Sequence, residues 1–291
     1  MSPPRLLVDA RAQLGECPRW SAGEGALYWV DIGLNELHRF EPATGQRRVR
    51  RFDEPVGCFA FRRRGGLVLA LRHGFALIDD FDGPLQPFGE PVEAGRPEIR
   101  LNDGRADATG RFWAGTVNMD KSRPDAGLYR LDLDGSVSRV VDGALTSNGA
   151  AFSPDGRTLY WADTPAHAVY AFDLDPERGV LSRRRLFHRF PFGHGRPDGA
   201  SVDVEGCYWT ALYEGGRVVR LSPSGAILQE VAIPARLTTM IALGGPDRRT
   251  AFVTTARQKL PPEALAETPY AGGVFTFEVE VAGLPEADFA G

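Results

Sequence analysis

Glu16, Asn102, Asn148 and Asp198 are two carboxylates and two carboxamides, an oxygen-only set of the kind that holds a hard divalent cation. Their spacing follows a repeat. An aromatic or aliphatic strand phrase recurs around Trp29, Leu69, Trp113, Trp161, Trp209 and Val253, at steps of 40, 44, 48, 48 and 44 residues. Counting back 13, 12, 11, 13, 11 and 13 residues from these references lands on Glu16, Gly57, Asn102, Asn148, Asp198 and Met240. If the repeat closes into a ring, those six places are neighbours. Glu16 and Asp198 then lie at its narrowest part, where an unpaired buried carboxylate is costly. A cation such as Ca2+, Mg2+ or Mn2+ would neutralise them. Asp and Asn also cap strands and turns, and the counting alone leaves both readings open.

The elements that must position these side chains follow from the same period. Each phrase is followed by a second strand and a hairpin signal, as in Glu36-Leu37-His38-Arg39-Phe40 before Pro42-Ala43-Thr44-Gly45. With 34 Gly and 22 Pro breaking nearly every longer window, only residues 261–267 read as helix. Strand, turn and strand at a period of about 45 residues predict an all-β chain, a six-bladed β-propeller with four-stranded antiparallel blades around a central channel. Six such units occupy almost the whole chain, so residues 1–291 are expected to form one propeller domain, with residues 6–9 completing the last blade beside 273–277. The strand before each phrase is expected to be innermost. The turn after each phrase then returns to the face bearing Glu16 and Asp198, and two of these turns, at 118–125 and 257–272, are long enough to overhang it.

A net charge of −4 offers no basic face for nucleic acid. No apolar run reaches the length of a membrane helix, and residues 1–5 carry no signal-like apolar core, so a cytoplasmic protein without membrane partners is expected. Cys17, Cys58 and Cys207 are odd in number and unclustered, which predicts buried free thiols. The arginine runs at 47–51, 62–64 and 183–185 read as solvated outer edge strands. No G-x-S-x-G elbow or Ser-His-Asp pattern supports a serine hydrolase. His194, four residues before Asp198, is the one histidine within sequence reach of the mouth.

The stretch Leu14-Gly15-Glu16-Cys17-Pro18-Arg19-Trp20, then Arg100-Leu101-Asn102-Asp103-Gly104, Gly115-Thr116, Ser147-Asn148-Gly149 with Ser153-Pro154-Asp155-Gly156, and Pro197-Asp198-Gly199 resemble the regucalcin/gluconolactonase family of sugar lactonases. The resemblance implies one divalent ion in the channel mouth, with Glu16, Asn148 and Asp198 as ligands. Ca2+ suits the oxygen donors, and Zn2+, Mn2+, Fe2+ or Mg2+ are admissible. It further implies substrate contacts at Arg100, Asn102 and Asp120, although Val117-Asn118-Met119-Asp120 departs from the more acidic run of the animal regucalcins.

The implied reaction is hydrolysis of an aldonolactone to the aldonic acid, within carbohydrate metabolism. The metal polarises the carbonyl and positions a water, and Asp198 acts as general base. Two other readings stand beside it: a non-enzymatic calcium-binding regulator of the regucalcin type, and a related propeller esterase or phosphotriesterase. The sequence leaves the sugar and the oligomeric state, monomer or weak dimer, undecided.

Overall fold

The computed structural model describes residues 2–291. Six four-stranded antiparallel sheets stand in a ring. The inner strands of blades 1 to 6 are Gly15–Ser21, Cys58–Phe61, Ile99–Ala106, Ser147–Phe152, Arg196–Val202 and Thr238–Gly244. Each is followed by the strand carrying the repeated phrase: Ala26–Asp31, Leu67–Ala70, Phe112–Asn118, Thr158–Asp163, Tyr208–Tyr213 and Thr250–Thr255. The inner strand is therefore the one before the phrase, as the hairpin spacing predicted.

The chain closes its ring with its own start. Arg5–Val8 forms the outermost strand of blade 6, Arg5 pairing Thr276 and Leu6 pairing Phe275. This antiparallel ladder ties the start of the chain to its last blade and so closes the ring. The one α-helix among the described residues, Pro262–Glu267, lies in the long connection of blade 6.

Burial is graded outward along each blade. Inner and phrase strands are buried almost throughout, whereas Gln46–Arg51 and Val180–Arg189 are mostly exposed and rich in arginine, which discourages edge pairing with other chains. The run at 62–64 is different. It forms the hairpin between Cys58–Phe61 and Leu67–Ala70, at the end of the channel away from Glu16, where Arg62 Nη1 donates to Asp79 Oδ1 at 2.8 Å and Arg63 N donates to the Phe289 carbonyl. A run of arginines resembles a charged edge strand, but the flanking Gly65 and Gly66 at φ 91° and 76° make a turn of it.

The four phrase tryptophans, Trp29, Trp113, Trp161 and Trp209, are fully buried between blades. Their indole N–H groups explain part of the repeat. Trp113 donates to Asp107 Oδ2 at 2.8 Å, Trp209 to Asp203 Oδ2 at 3.0 Å and Trp161 to Ser147 Oγ at 2.6 Å. Trp29 instead stacks on His38, with ring centroids 4.8 Å apart and planes 6° from parallel. Cys17, Cys58 and Cys207 are buried and unpaired, as expected.

Candidate active site

Five of the six inner strands break register near their first residues: between Glu16 and Arg19, Leu101 and Gly104, Asn148 and Ala151, Pro197 and Ala200, and Thr238 and Met240. A β-bulge bends its strand and re-aims the side chains at the bulge. Here the bulges fall on Glu16, Asn102, Asn148 and Asp198, so each blade turns its polar residue into the channel instead of into the neighbouring blade. Cys17 accommodates its bulge at φ 50° and Gly149 at φ 61°.

Gly57 holds the equivalent place in blade 2. A Cβ there would lie 2.5 Å from the Leu101 carbonyl oxygen and 2.7 Å from that of Asn102. The absent side chain lets the inner strand of blade 3 approach and bring Asn102 to the mouth.

A cavity of about 360 Å3 opens at this end of the channel, and its wall contains Glu16, Arg100, Asn102, Asn148 and Asp198. Five of the six residues expected at the site are thus together. Asp120 is exposed on the turn beside Lys121, outside the wall, and His194 is exposed and outside it as well. The wall also takes residues that counting back did not find: Ile32, Arg72, Val117, Met119, Lys121, Thr164, Arg196, Tyr213, Gln258 and Lys259 among them. Several were within reach of the same ruler run forward. Ile32, Arg72 and Thr164 lie three residues after Trp29, Leu69 and Trp161, and Val117 and Tyr213 lie four after Trp113 and Trp209, where each phrase strand returns to the mouth. The long turns at 118–125 and 257–272 do reach this face, contributing Met119, Lys121, Gln258 and Lys259.

A hydrogen-bonded chain crosses three blades at the mouth. Arg100 Nη1 donates to Asn102 Oδ1 at 2.8 Å, and Asn102 Nδ2 donates to Asn148 Oδ1 at 2.6 Å. Asn148 Nδ2 donates to Thr164 Oγ1 at 2.8 Å, and Thr164 Oγ1 donates to the Pro197 carbonyl at 2.7 Å, next to Asp198. The carboxylates are far less well served. Glu16 Oε2 accepts one amide hydrogen bond, from Cys17 N at 3.3 Å, and Asp198 Oδ1 is buried without a hydrogen-bond partner.

Burial, then the negative charges of Asp198 and Asp103, push the Glu16 carboxyl well above the usual carboxylate range; the Cys17 amide and Arg100 oppose this. Asp198 is driven the same way by burial and by Asp103, against Lys121 and Arg196. Two buried acids on one cavity wall that both resist ionisation mark this mouth as the candidate site.

The cavity floor is a column of charge. Asp103, buried, lies below the mouth within electrostatic reach of Arg19 and Arg105. Arg19 Nη2 donates to the Gly104 carbonyl at 2.6 Å and its Nε lies 3.1 Å from Glu286, while Arg105 Nη1 donates to both Glu286 oxygens at 3.0 and 3.1 Å. Glu286 belongs to the C-terminal strap, which pairs with Arg62 through Phe289 and with Asp203 through Gly283 at the opposite end of the channel. A second cavity of about 380 Å3 lies on that side, around Trp20, Arg62 and Asp288. It holds none of the Asn and Asp residues of the mouth, so the chemistry belongs to the first.

Whether the mouth fits a cation is decided by its donors. Among the described residues no three His, Cys, Asp or Glu side chains gather as a metal site of those types alone; the oxygen donors on the cavity wall are carboxylates and carboxamides. Glu16, Asp198 and Asn148 supply those, and the partnerless Asp198 Oδ1 and sparsely bonded Glu16 have free lone pairs to give. The fit is to a hard, oxygen-seeking divalent ion.

Comparisons agree over the full length. The sequence profile described as "SMP-30/Gluconolactonase/LRE-like region" matches residues 14–257. A protein named 6-deoxy-6-sulfogluconolactonase from Pseudomonas putida is 44% identical over 288 residues, covering 99% of this chain and 98% of its own. Regucalcin from Danio rerio is 37% identical over 98% of this chain and 97% of its own. The crystal structure of a calcium-binding protein, regucalcin, from Agrobacterium tumefaciens superposes with a TM-score of 0.94 at 28% identity, covering 99% of both chains.

Proposed function

The chain belongs to the SMP-30/gluconolactonase/LRE-like family, and we propose that it hydrolyses a sugar lactone to its aldonic acid with one divalent cation held at the channel mouth. The observation that carries this reading is the pair of buried carboxylates with few hydrogen bonds, Glu16 and Asp198, facing one polar cavity. The lactonase names of relatives covering the whole chain support the reaction class.

Glu16, Asn148 and Asp198 are the residues that would hold the ion. When bound, it would polarise the lactone carbonyl and make a neighbouring water more acidic. The rest falls to the side chains. Asp198 can act as both ligand and base only by dividing the tasks between its two oxygens. With the cation bound, Asp198 would stay ionised against the burial that otherwise favours its protonated form, so its free oxygen could take a proton from the attacking water as the water oxygen bonds to C1. Breaking the C1 to ring-oxygen bond needs a proton on the departing oxygen, and protonated Asp198 can return it there. The products are the acyclic acid, which ionises in water, and regenerated Asp198.

Arg100 and Asn102 would orient the sugar. Arg100 lines the cavity and fixes Asn102 Oδ1 through Nη1, and a planar guanidinium suits paired hydroxyl or carbonyl oxygens. Asp120, exposed on the rim, could meet only a substituent that projects beyond the mouth. A cytoplasmic setting accords with three unpaired thiols.

A second reading, a calcium-binding protein without hydrolytic activity, takes support from the regucalcin relatives and uses the same three ligands. Proton release from a panel of aldonolactones, with the ion chelated and then restored, separates the two: the lactonase reading expects a metal-dependent rate and the binding reading expects none.

A further inference from the structure

The cavity wall is rich in positive charge for a chain whose net charge is −4. Five cationic side chains, Arg72, Arg100, Lys121, Arg196 and Lys259, share it with two acids, Glu16 and Asp198. Three of the cations form one group on the Asp198 side. They come from three blades: Lys121 from the 119–125 turn of blade 3, Arg196 from the first residue of the blade 5 inner strand, and Lys259 from the long connection of blade 6. All three line one cavity; burial first, and then the charges of Arg196 and Lys259, disfavour the charged form of Lys121, with Asp198 and Glu214 opposing. Arg196 pairs with Glu214 at 2.9 Å and lies over the Tyr213 ring. Among the described residues, neither Lys121 nor Lys259 has a carboxylate within ion-pair distance.

Neutralising Glu16 and Asp198 does not account for this group. A divalent ion would take up both acids, and the cations would then face the cavity with Glu214 as their one paired carboxylate. A neutral sugar gains nothing from such a field. An anion gains both affinity and a faster approach.

We infer that the lactone accepted here carries a second, negatively charged substituent, a phosphate, sulfonate or carboxylate remote from the reacting carbonyl, and that Lys121, Arg196 and Lys259 hold it. This rests on the lactonase reading of the same cavity, and it makes these three residues the determinants of substrate class. Lys121 and Lys259 are exposed side chains on turns, so replacing them does not threaten the fold.

The test separates binding from turnover. Calorimetric titration of the Ca2+-loaded protein compares gluconate with 6-phosphogluconate, 6-deoxy-6-sulfogluconate and glucarate. All four carry the C1 carboxylate, so only the second anion distinguishes them, and comparing the three charged probes identifies its chemistry. At least one should bind about tenfold or more tightly than gluconate at low salt, and the preference should shrink at high salt. In the double variant Lys121→Gln, Lys259→Gln it should fall to within about threefold. The matching lactones, followed by proton release, should show the same order in kcat/KM. A chain that prefers the charged probes but opens no lactone upholds the anion site and sinks the lactonase reading. Equal binding of all four alongside turnover of neutral lactones overturns the anion site and leaves the lactonase. Equal binding with no turnover overturns both.

Discussion

Asn102 Nδ2 donates to Asn148 Oδ1 at 2.6 Å, joining the inner strands of blades 3 and 4 across the channel mouth. The same carboxamide oxygen of Asn148 is the one proposed for the cation, so Asn102 and Thr164 together hold Asn148 in its orientation, one at each end of the amide. Thr164→Val removes one end while nearly conserving shape. It should weaken metal retention by about tenfold, as loss of a group that orients a ligand does, and lower stability by roughly 1–3 kcal/mol through the orphaned Asn148 amide. Competition against a metallochromic chelator and thermal melts read the two effects separately.

Gly57→Ala probes how the blades are spaced. Its Cβ would meet backbone oxygens of Leu101 and Asn102 at 2.5 and 2.7 Å, and backbone cannot swing aside as a side chain can. The strand carrying Asn102 must move, with a stability loss of about 1–3 kcal/mol and a rise in KM for any substrate that Asn102 orients. Chemical denaturation and steady-state kinetics on one preparation would show both; an unchanged KM would mean that Asn102 contributes little to binding.

Glu16 and Asp198 give the metal-free protein a pH signature of known sign. Their folded-state pKa values lie above the unfolded ones, so their contribution is intact below about pH 4, where both states are protonated, and is lost as pH rises toward the folded values. Binding a cation needs both groups ionised and removes the repulsion. The increase in melting temperature on adding saturating Ca2+ should therefore grow from pH 5 to pH 8. An increment that is flat or shrinks with pH would contradict binding at these two carboxylates.

His38 works in the opposite direction and far from the site. Burial, and then the Arg47 charge, lower its pKa from 6.5 to about 3, and Arg47 Nη2 donates to Nδ1 at 3.0 Å, which requires a neutral ring. Glu36 Oε2 lies 3.2 Å from Nε2 and would favour protonation; burial against Trp29 and the Arg47 hydrogen bond outweigh it. Because the folded value is depressed, His38 costs stability as pH falls below 6.5, by about 2 kcal/mol at pH 5. In His38→Gln, which keeps an acceptor for Arg47, the fall in unfolding free energy between pH 8 and pH 5 should be smaller by about that amount.

The ring and most of the mouth were legible in the sequence because both are periodic. Trp29, Trp113, Trp161 and Trp209 mark the buried second strand of four blades, and a hairpin offset that varies only between 11 and 13 residues converts that mark into the address of Glu16, Asn102, Asn148 and Asp198. What was not legible has local causes. Lys121 and Lys259 sit on turns whose lengths follow no period, and Asp120, the neighbour of Lys121 in sequence, lies outside the cavity wall. The arginines at 62–64 resembled an edge strand because a short run of like charges is equally at home on an exposed strand edge and in a solvated hairpin. Glu286 was invisible as the partner of Arg19 and Arg105 because a tail that crosses the channel leaves no repeat behind it.

The central claim, a cation at Glu16, Asn148 and Asp198 that serves lactone opening, meets its most direct test in proton release from aldonolactones, corrected for spontaneous opening. The measurement runs on protein stripped by chelation, on the same protein after restoring Ca2+ or another divalent ion, and on Asp198→Asn. The prediction is a rate that falls at least about a hundredfold on stripping, returns with metal, and does not return in Asp198→Asn. A rate indifferent to chelation, or undiminished turnover by Asp198→Asn, would contradict it.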